Sequence, residues 1–316
     1  MTKKAEKKPL KSGARLDDNL TVISVIDGGS VEPVYLVWHK RDWCPLACKV
    51  MQSPHRAKSE FDVLSCFAHP NILRGLGISG QVHLLMPFVE GTLLSDAIDG
   101  APRRRLSVSD TMRLAIYIGA ALTHVHNRGF LHMDVKPDNI IVGVDGRPML
   151  FDFGAARRMS VERPAEYVGT NVYSAPEECS LGSVGPGADI FSLAVMIYEM
   201  LTGEVPFGRD TPDEPFPQLK RDATPLKKYR PNVPRGLENL VFACLERNPA
   251  FRPELAEILP ILHSFIEHGP PMWPPNLVFG PGHGVLESAA AAPKAEPTHQ
   301  QPSSRHPSKR GTAQLH

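Results

Sequence analysis

Residues 132–139 read His-Met-Asp-Val-Lys-Pro-Asp-Asn, and Asp152-Phe153-Gly154 follow a short way downstream. Asp134, Lys136 and Asn139 stand on what reads as a loop after an amphipathic helix. Asp152 lies at the end of a β-hairpin, Ile140–Val144 and Pro148–Phe151, expected to turn at the two residues Asp145-Gly146. Asn139 and Asp152 offer an amide and a carboxylate oxygen to Mg²⁺. Asp134 is able to take a proton from a hydroxyl, and Lys136 puts a cation beside a phosphate in transfer. An Asp-Phe-Gly alone could be chance, but with the loop and the hairpin before it the set is the equipment for moving a phosphoryl group.

The pattern on either side differs. Upstream, Thr21–Ile26, Val34–Trp38, Leu46–Met51 and Val82–Met86 are short runs of β-branched and apolar residues, which predict strands, with one helical stretch at about His55–Phe67. After Gly91 the period becomes helical: Leu114, Ile118, Leu122 and Val125 recur on one face. Asp189–Leu201 is apolar nearly all round, as a helix at the centre of a lobe should be, and stops at Gly203 with Pro206 beyond. The fold class is α+β: a small β-rich lobe, a larger helical lobe and a ligand cleft between them.

Composition narrows the remaining classes. The chain has 316 residues and a net charge of +1, so no global field favours nucleic acid or an acidic membrane. No apolar run approaches the roughly 20 residues of a membrane helix, and Phe191–Leu201 is interrupted by Glu199. The five cysteines (Cys44, Cys48, Cys66, Cys179 and Cys244) are scattered and odd in number, which reads as buried thiols of a reducing compartment. Without a visible signal peptide, a cytoplasmic location is expected. Residues 1–18 are basic and poor in large apolar side chains, and from His268 to His316 the chain turns to Pro, Ala and Ser; both are expected to be flexible tails around lobes at 19–91 and 92–267. In the second tail Met272, Trp273 and Phe279 are apolar enough to pack back. Nothing in the sequence bears on oligomeric state.

From about Thr21 to Phe265 the chain resembles the eukaryotic-type serine/threonine protein kinases, by the order and spacing of its motifs. The resemblance implies a bilobal kinase fold binding ATP and Mg²⁺, with Mn²⁺ as the alternative ion, and a protein substrate carrying Ser or Thr. It makes Asp134 the base, Lys136 the residue facing the γ-phosphate, Asn139 and Asp152 the metal ligands, and Lys49 the phosphate lysine held by Glu60. Val34 and Ala47 would cover the adenine, Ile141 would lie beneath it, Met86, Pro87 and Val89 would form the gatekeeper and hinge, and Ile26 and Gly29 would also bind the nucleotide. Glu177 of Ala175-Pro176-Glu177 would pair with Arg252, Asp189 would hold the backbone around His132, and Leu64, His132 and Phe153 would stack between the lobes.

The phosphate loop departs from the family. Its three glycine positions hold Asp27, Gly29 and Glu32, with Gly28 adjacent and Pro33 stiffening the tip. Glu32 either turns to solvent or adds a negative charge beside a negative ligand, and the expected cost is about 1 kcal/mol of ATP affinity. This break motivates the alternative of a pseudokinase scaffold that binds a partner without turnover. Lys136 with Thr170, and the Lys-Pro and Ala-Pro-Glu segments, mark the serine/threonine type over tyrosine or small-molecule kinases. Met133 stands where many relatives carry arginine, and Glu166 where they carry the phosphorylated hydroxyl. Activity independent of phosphorylation of this segment is expected.

Overall fold

The β-branched runs near the start of the chain pair into one antiparallel sheet. The structure, a computed structural model, describes residues 9–28, 31–159 and 169–266. Strands β1 (Leu20–Asp27), β2 (Val34–His39) and β3 (Cys44–Val50) are followed by helix α1 (Pro54–Leu64), then β4 (Gly77–Ser79) and β5 (His83–Pro87). Their sheet order is β1-β2-β3-β5-β4. Side-chain alternation decides which face is buried: Leu20, Val22, Tyr35, Val37, Leu46, Cys48 and Leu85 form one apolar cluster. Register shifts between Val22 and Ser24 and between Val25 and Asp27 bulge β1 as it approaches the turn to β2. Helix α1 starts on Ser53, whose hydroxyl accepts from the Arg56 N–H at 3.3 Å, with Pro54 at the first position.

After Pro87 the chain crosses to the helical part. It holds β6 (Gly91–Leu93), α2 (Leu94–Gly100), α3 (Val108–Asn127), β7 (Phe130–Leu131), β8 (Ile140–Gly143), β9 (Pro148–Leu150) and β10 (Arg157–Arg158). Then come α4 (Pro176–Cys179), α5 (Pro186–Thr202), α6 (Arg235–Cys244) and α7 (Leu255–His263). As its composition requires, α5 is buried along Ala188–Thr202 and packs on α3 and α6. It ends where Gly203 takes φ +75° and donates its N–H to the Glu199 carbonyl at 2.7 Å.

Several expectations are corrected. The hairpin loop has three residues, Val144-Asp145-Gly146, because Gly143 pairs with Arg147 across it and Gly146 takes φ +78°. That is the turn-plus-bulge form rather than the two-residue turn. The short β4 and β6 carried no periodic signal. The N-terminal segment is not wholly a tail: Gly13 and Ala14 exchange backbone hydrogen bonds with Val22, and Ala14 and Leu16 pack on the sheet's apolar cluster. Edge pairing with β1 supplies what composition lacked. Of the five cysteines expected to be buried thiols, only Cys48 and Cys244 are buried; Cys44, Cys66 and Cys179 are half-buried. The expected tails at 1–8 and 268–316 lie outside the described residues.

Candidate active site

The loop between β7 and β8 carries the predicted catalytic residues, and Asp189 at the start of α5 holds it. The N–H groups of His132 and Met133 both donate to the Asp189 carboxylate at 2.9 Å, and the His126 ring lies 2.7 Å from it. Burial pushes the Asp189 carboxyl up, but His126 and these donors outweigh it and hold it below the usual carboxylate range. This anchor matters because Met133 sits at φ +69°, a conformation that costs a non-glycine residue about 1 kcal/mol or more. Past the strained turn, Asp134, Lys136, Asn139 and Thr170 meet. Lys136 Nζ donates to Asp134 Oδ2 at 2.8 Å and to Thr170 Oγ1 at 2.6 Å, and Thr170 Oγ1 donates to Asp134 Oδ1 at 2.8 Å. Asn139 Nδ2 donates to the Asp134 carbonyl and to its Oδ2, each at 2.8 Å.

Lys49 comes from β3 and meets Glu60 of α1, whose two oxygens lie 3.0 Å from Nζ. It also donates to Asp152 Oδ1 at 2.9 Å, and the Gly154 N–H donates to the same oxygen at 3.3 Å. Burial pulls the Lys49 ammonium down, yet Asp152 and Glu60 more than offset this and its pKa lies above the ordinary lysine value. Asp152 is held low, since Lys49 outweighs its burial. Glu60 is raised by burial, with Asp152 and Glu32 adding to it against Lys49. Carboxylates thus outnumber the ammonium here, and a divalent cation would relieve the excess. The donor set fits one: Asn139 commits its Nδ2, and among the described residues neither its Oδ1 nor Asp152 Oδ2 has a hydrogen-bond partner. An amide and a carboxylate oxygen suit Mg²⁺.

Most of the residues expected around the adenine gather near a small apolar cluster. Ala47, Leu73 and Met86 are buried together, with Val34, Val89, Met149 and Phe151 packed on them. Val34 and Met86 flank the lysine strand, in register with Lys49 and Ala47 respectively. Ile141 is half-buried on β8 opposite Met149. Ile26 lies in the β1 bulge and stays 37% exposed. Gly29 lies outside the described residues. Pro87 ends β5 opposite Leu46. Leu73, Met149 and Phe151 were missed by sequence reading, though the last stands directly before Asp152.

Glu32 is not the loose surface charge that its place at a turn implied. Its side chain is 9% exposed. Arg56 Nε and Nη2 donate to its two oxygens at 2.8 and 3.1 Å, the Gln52 N–H donates at 3.2 Å, and Lys49 Nζ is 3.9 Å away. Arg56 was not foreseen; its place four residues before Glu60 on α1 was the available signal. The scaffold contacts are as expected. Arg252 donates to both Glu177 oxygens at 2.6 and 2.8 Å, and its guanidinium lies over the Phe191 ring. His132 and Phe153 lie 4.6 Å apart between ring centroids, and Leu64 belongs to the same core. Met133 packs with Leu131 and Val184. Glu166 lies outside the described residues.

The protein kinase domain family matches residues 20–265. The serine/threonine-protein kinase PAK mbt of Drosophila melanogaster is 29% identical over 265 residues, covering 80% of this chain and 41% of the relative. PrkC of Bacillus subtilis is 27% identical over 260 residues (78% and 40%), and pkn2 of Myxococcus xanthus 30% over 310 residues (88% and 36%); both are named serine/threonine-protein kinases. The chain spans less than half the length of each of these relatives. It belongs to the protein kinase family, whose members use ATP and a divalent metal.

Proposed function

We propose that this member of the protein kinase family is an active serine/threonine kinase that moves the γ-phosphoryl group of ATP to a protein hydroxyl. The observation that carries this reading is the hydrogen-bonded set of Asp134, Lys136, Thr170 and Asn139, opposite the Lys49–Glu60–Asp152 cluster. Asp134 orients the substrate hydroxyl and accepts its proton as the oxygen–phosphorus bond forms and the bond to the ADP leaving group breaks. Lys136 faces the transferred group, and Lys49 holds the other phosphates. Asn139 and Asp152 would hold Mg²⁺, or Mn²⁺ in its place, which would neutralise charge on the phosphates. Positioning and electrostatics supply most of the rate.

The partner is a protein presenting Ser or Thr. The near-neutral chain offers no field for nucleic acid, and no helix among the described residues is long and apolar enough to cross a membrane. The scattered, odd-numbered cysteines suit a reducing compartment, and a cytoplasmic location belongs to this reading. The test uses radiolabelled ATP, Mg²⁺ and a generic basic protein, with phosphoamino-acid analysis. Label on serine or threonine in the wild type, abolished in Asp134→Asn and Lys49→Met, is expected. No transfer by a wild type that binds a protein partner tightly would establish the pseudokinase reading instead.

A further inference from the structure

We propose that Glu32 is a built-in competitor for the nucleotide's phosphates, and that its ion pair with Arg56 is a latch that sets nucleotide affinity. The inference rests on the nucleotide site proposed above. Glu32 sits at the end of the turn from β1 to β2, two residues before Val34, which packs in the apolar pocket beside Lys49. Its carboxylate points inward. It is bound bidentately by Arg56, receives the Gln52 N–H and lies 3.9 Å from Lys49 Nζ. Arg56 and Glu60 are one helical turn apart on α1, so the latch fastens the turn to the same helix that holds Lys49.

Charge shows what the latch does. Among the described residues, three carboxylates (Glu32, Glu60 and Asp152) surround two cations (Lys49 and Arg56), which leaves these five groups one negative charge in excess. Burial pushes the Glu32 carboxyl up, but Arg56, Gln52 and Lys49 hold it below the usual range, so it is ionised at neutral pH. A phosphate approaching Lys49 must displace this carboxylate or lie beside it. If it displaces it, the Arg56 guanidinium is left free, and that group binds phosphate bidentately. Carboxylate and phosphate therefore exchange on one pair of cations. A glutamate where close approach of backbone N–H groups is the usual device thereby becomes part of an electrostatic gate. The gate acts on the triphosphate and leaves the nucleoside alone.

The experiment is calorimetric titration of Mg–ATP and of adenosine into the full chain, for wild type, Glu32→Gln and Arg56→Gln, with thermal melts to confirm folding. Glu32→Gln should bind Mg–ATP about five- to tenfold more tightly, the effect of deleting one screened unit charge at close range. Arg56→Gln should bind it several-fold more weakly, having lost the cation the phosphates inherit. Adenosine affinity should stay within about twofold in both, and the ATP effects should shrink as salt is raised. An ordinary structural clamp would weaken ATP and adenosine together in both variants, and that result overturns the proposal. If Glu32→Gln fails to fold, an unchanged or tighter affinity in Arg56→Gln overturns it alone. A wild type that binds neither ligand removes the nucleotide reading itself; a wild type that binds ATP beside an indifferent Glu32→Gln removes only the latch.

Discussion

Thr170 shares one hydroxyl between the two charged residues of the catalytic loop, accepting from Lys136 and donating to Asp134. Thr170→Ala should therefore loosen both without unfolding anything, lowering kcat about tenfold at little change in the KM for ATP, within the range of a lost positioning hydrogen bond. Thr170→Ser should restore most of it, and a kcat for Thr170→Ala within twofold of wild type would rule the role out. Glu178 is a different case. One oxygen accepts the Ala175 N–H at 2.9 Å, while Oε2 is buried without a partner among the described residues. Burial pushes its pKa to about 8 from an ordinary value of 4.5, against the Ala175 hydrogen bond and with Asp189 and Glu177 adding to the rise. The folded chain thus keeps a proton that the unfolded chain has lost. The stability this contributes is complete below about pH 4.5 and is lost as pH rises to about 8, by at most about 1.4 kcal/mol per pH unit. Glu178→Gln keeps the hydrogen bond and has no charge to bury. Its melting temperature relative to wild type should climb steadily from about pH 5 to pH 8, and a flat difference would contradict the assignment. Asp134 and Lys136 were legible because their spacing is local. Glu178 was not, since its protonation depends on burial beneath residues distant in sequence.

At the scale of elements, β6 shows why a glycine follows the hinge. A Cβ on Gly91 would stand 2.2 Å from the Val142 carbonyl oxygen of β8, a backbone atom that cannot turn away. Gly91→Ala should push β6 off β8 and lower the melting temperature by several degrees, at roughly 2–4 °C per kcal/mol; an unchanged melt would show that the strands part easily. Met133 packs with Leu131 and Val184, so the catalytic loop presents an apolar contact where an arginine would need an anion. Phosphatase-treated protein, and Ser160→Ala, should retain most of their activity. A tenfold fall in initial rate after dephosphorylation, recovered on preincubation with ATP, would defeat this. The strands and helices with clear periods lay within a few residues of their expected places. Three-residue strands such as β4 and β6 lack the length for a period to show, and the hairpin's third loop residue follows from pairing register rather than composition.

At the scale of the molecule, the two lobes meet through their charged and aromatic contacts: Lys49 with Asp152, and Phe67 with Phe153 at 5.1 Å between centroids. These contacts use residues before 266, and residues 284–316 carry no aromatic side chain and little else to bury. A chain ending at residue 283 should melt within a degree or two of the full chain and keep its basal phosphotransfer. A loss of several degrees would mean that the missing stretch packs.

Sequence alone determined the order of lobes and the helical and strand periods, and it singled out Lys49, Glu60, Asp134, Lys136, Asn139 and Asp152, because each depends on local spacing or on motif. Tertiary structure decided which charges share a cation. Glu32 reads as a glutamate that either turns to solvent or faces the ligand, and nothing in the sequence singles out Arg56; only the fold pairs the two and sets Glu32 3.9 Å from Lys49 Nζ. The same holds for residues 13–16, whose sparse apolar side chains pack on the sheet because β1 offers them an edge. Periodicity reports what a segment does with its own neighbours. Burial and charge pairing depend on segments far apart in the chain, so they become legible only once the chain has folded.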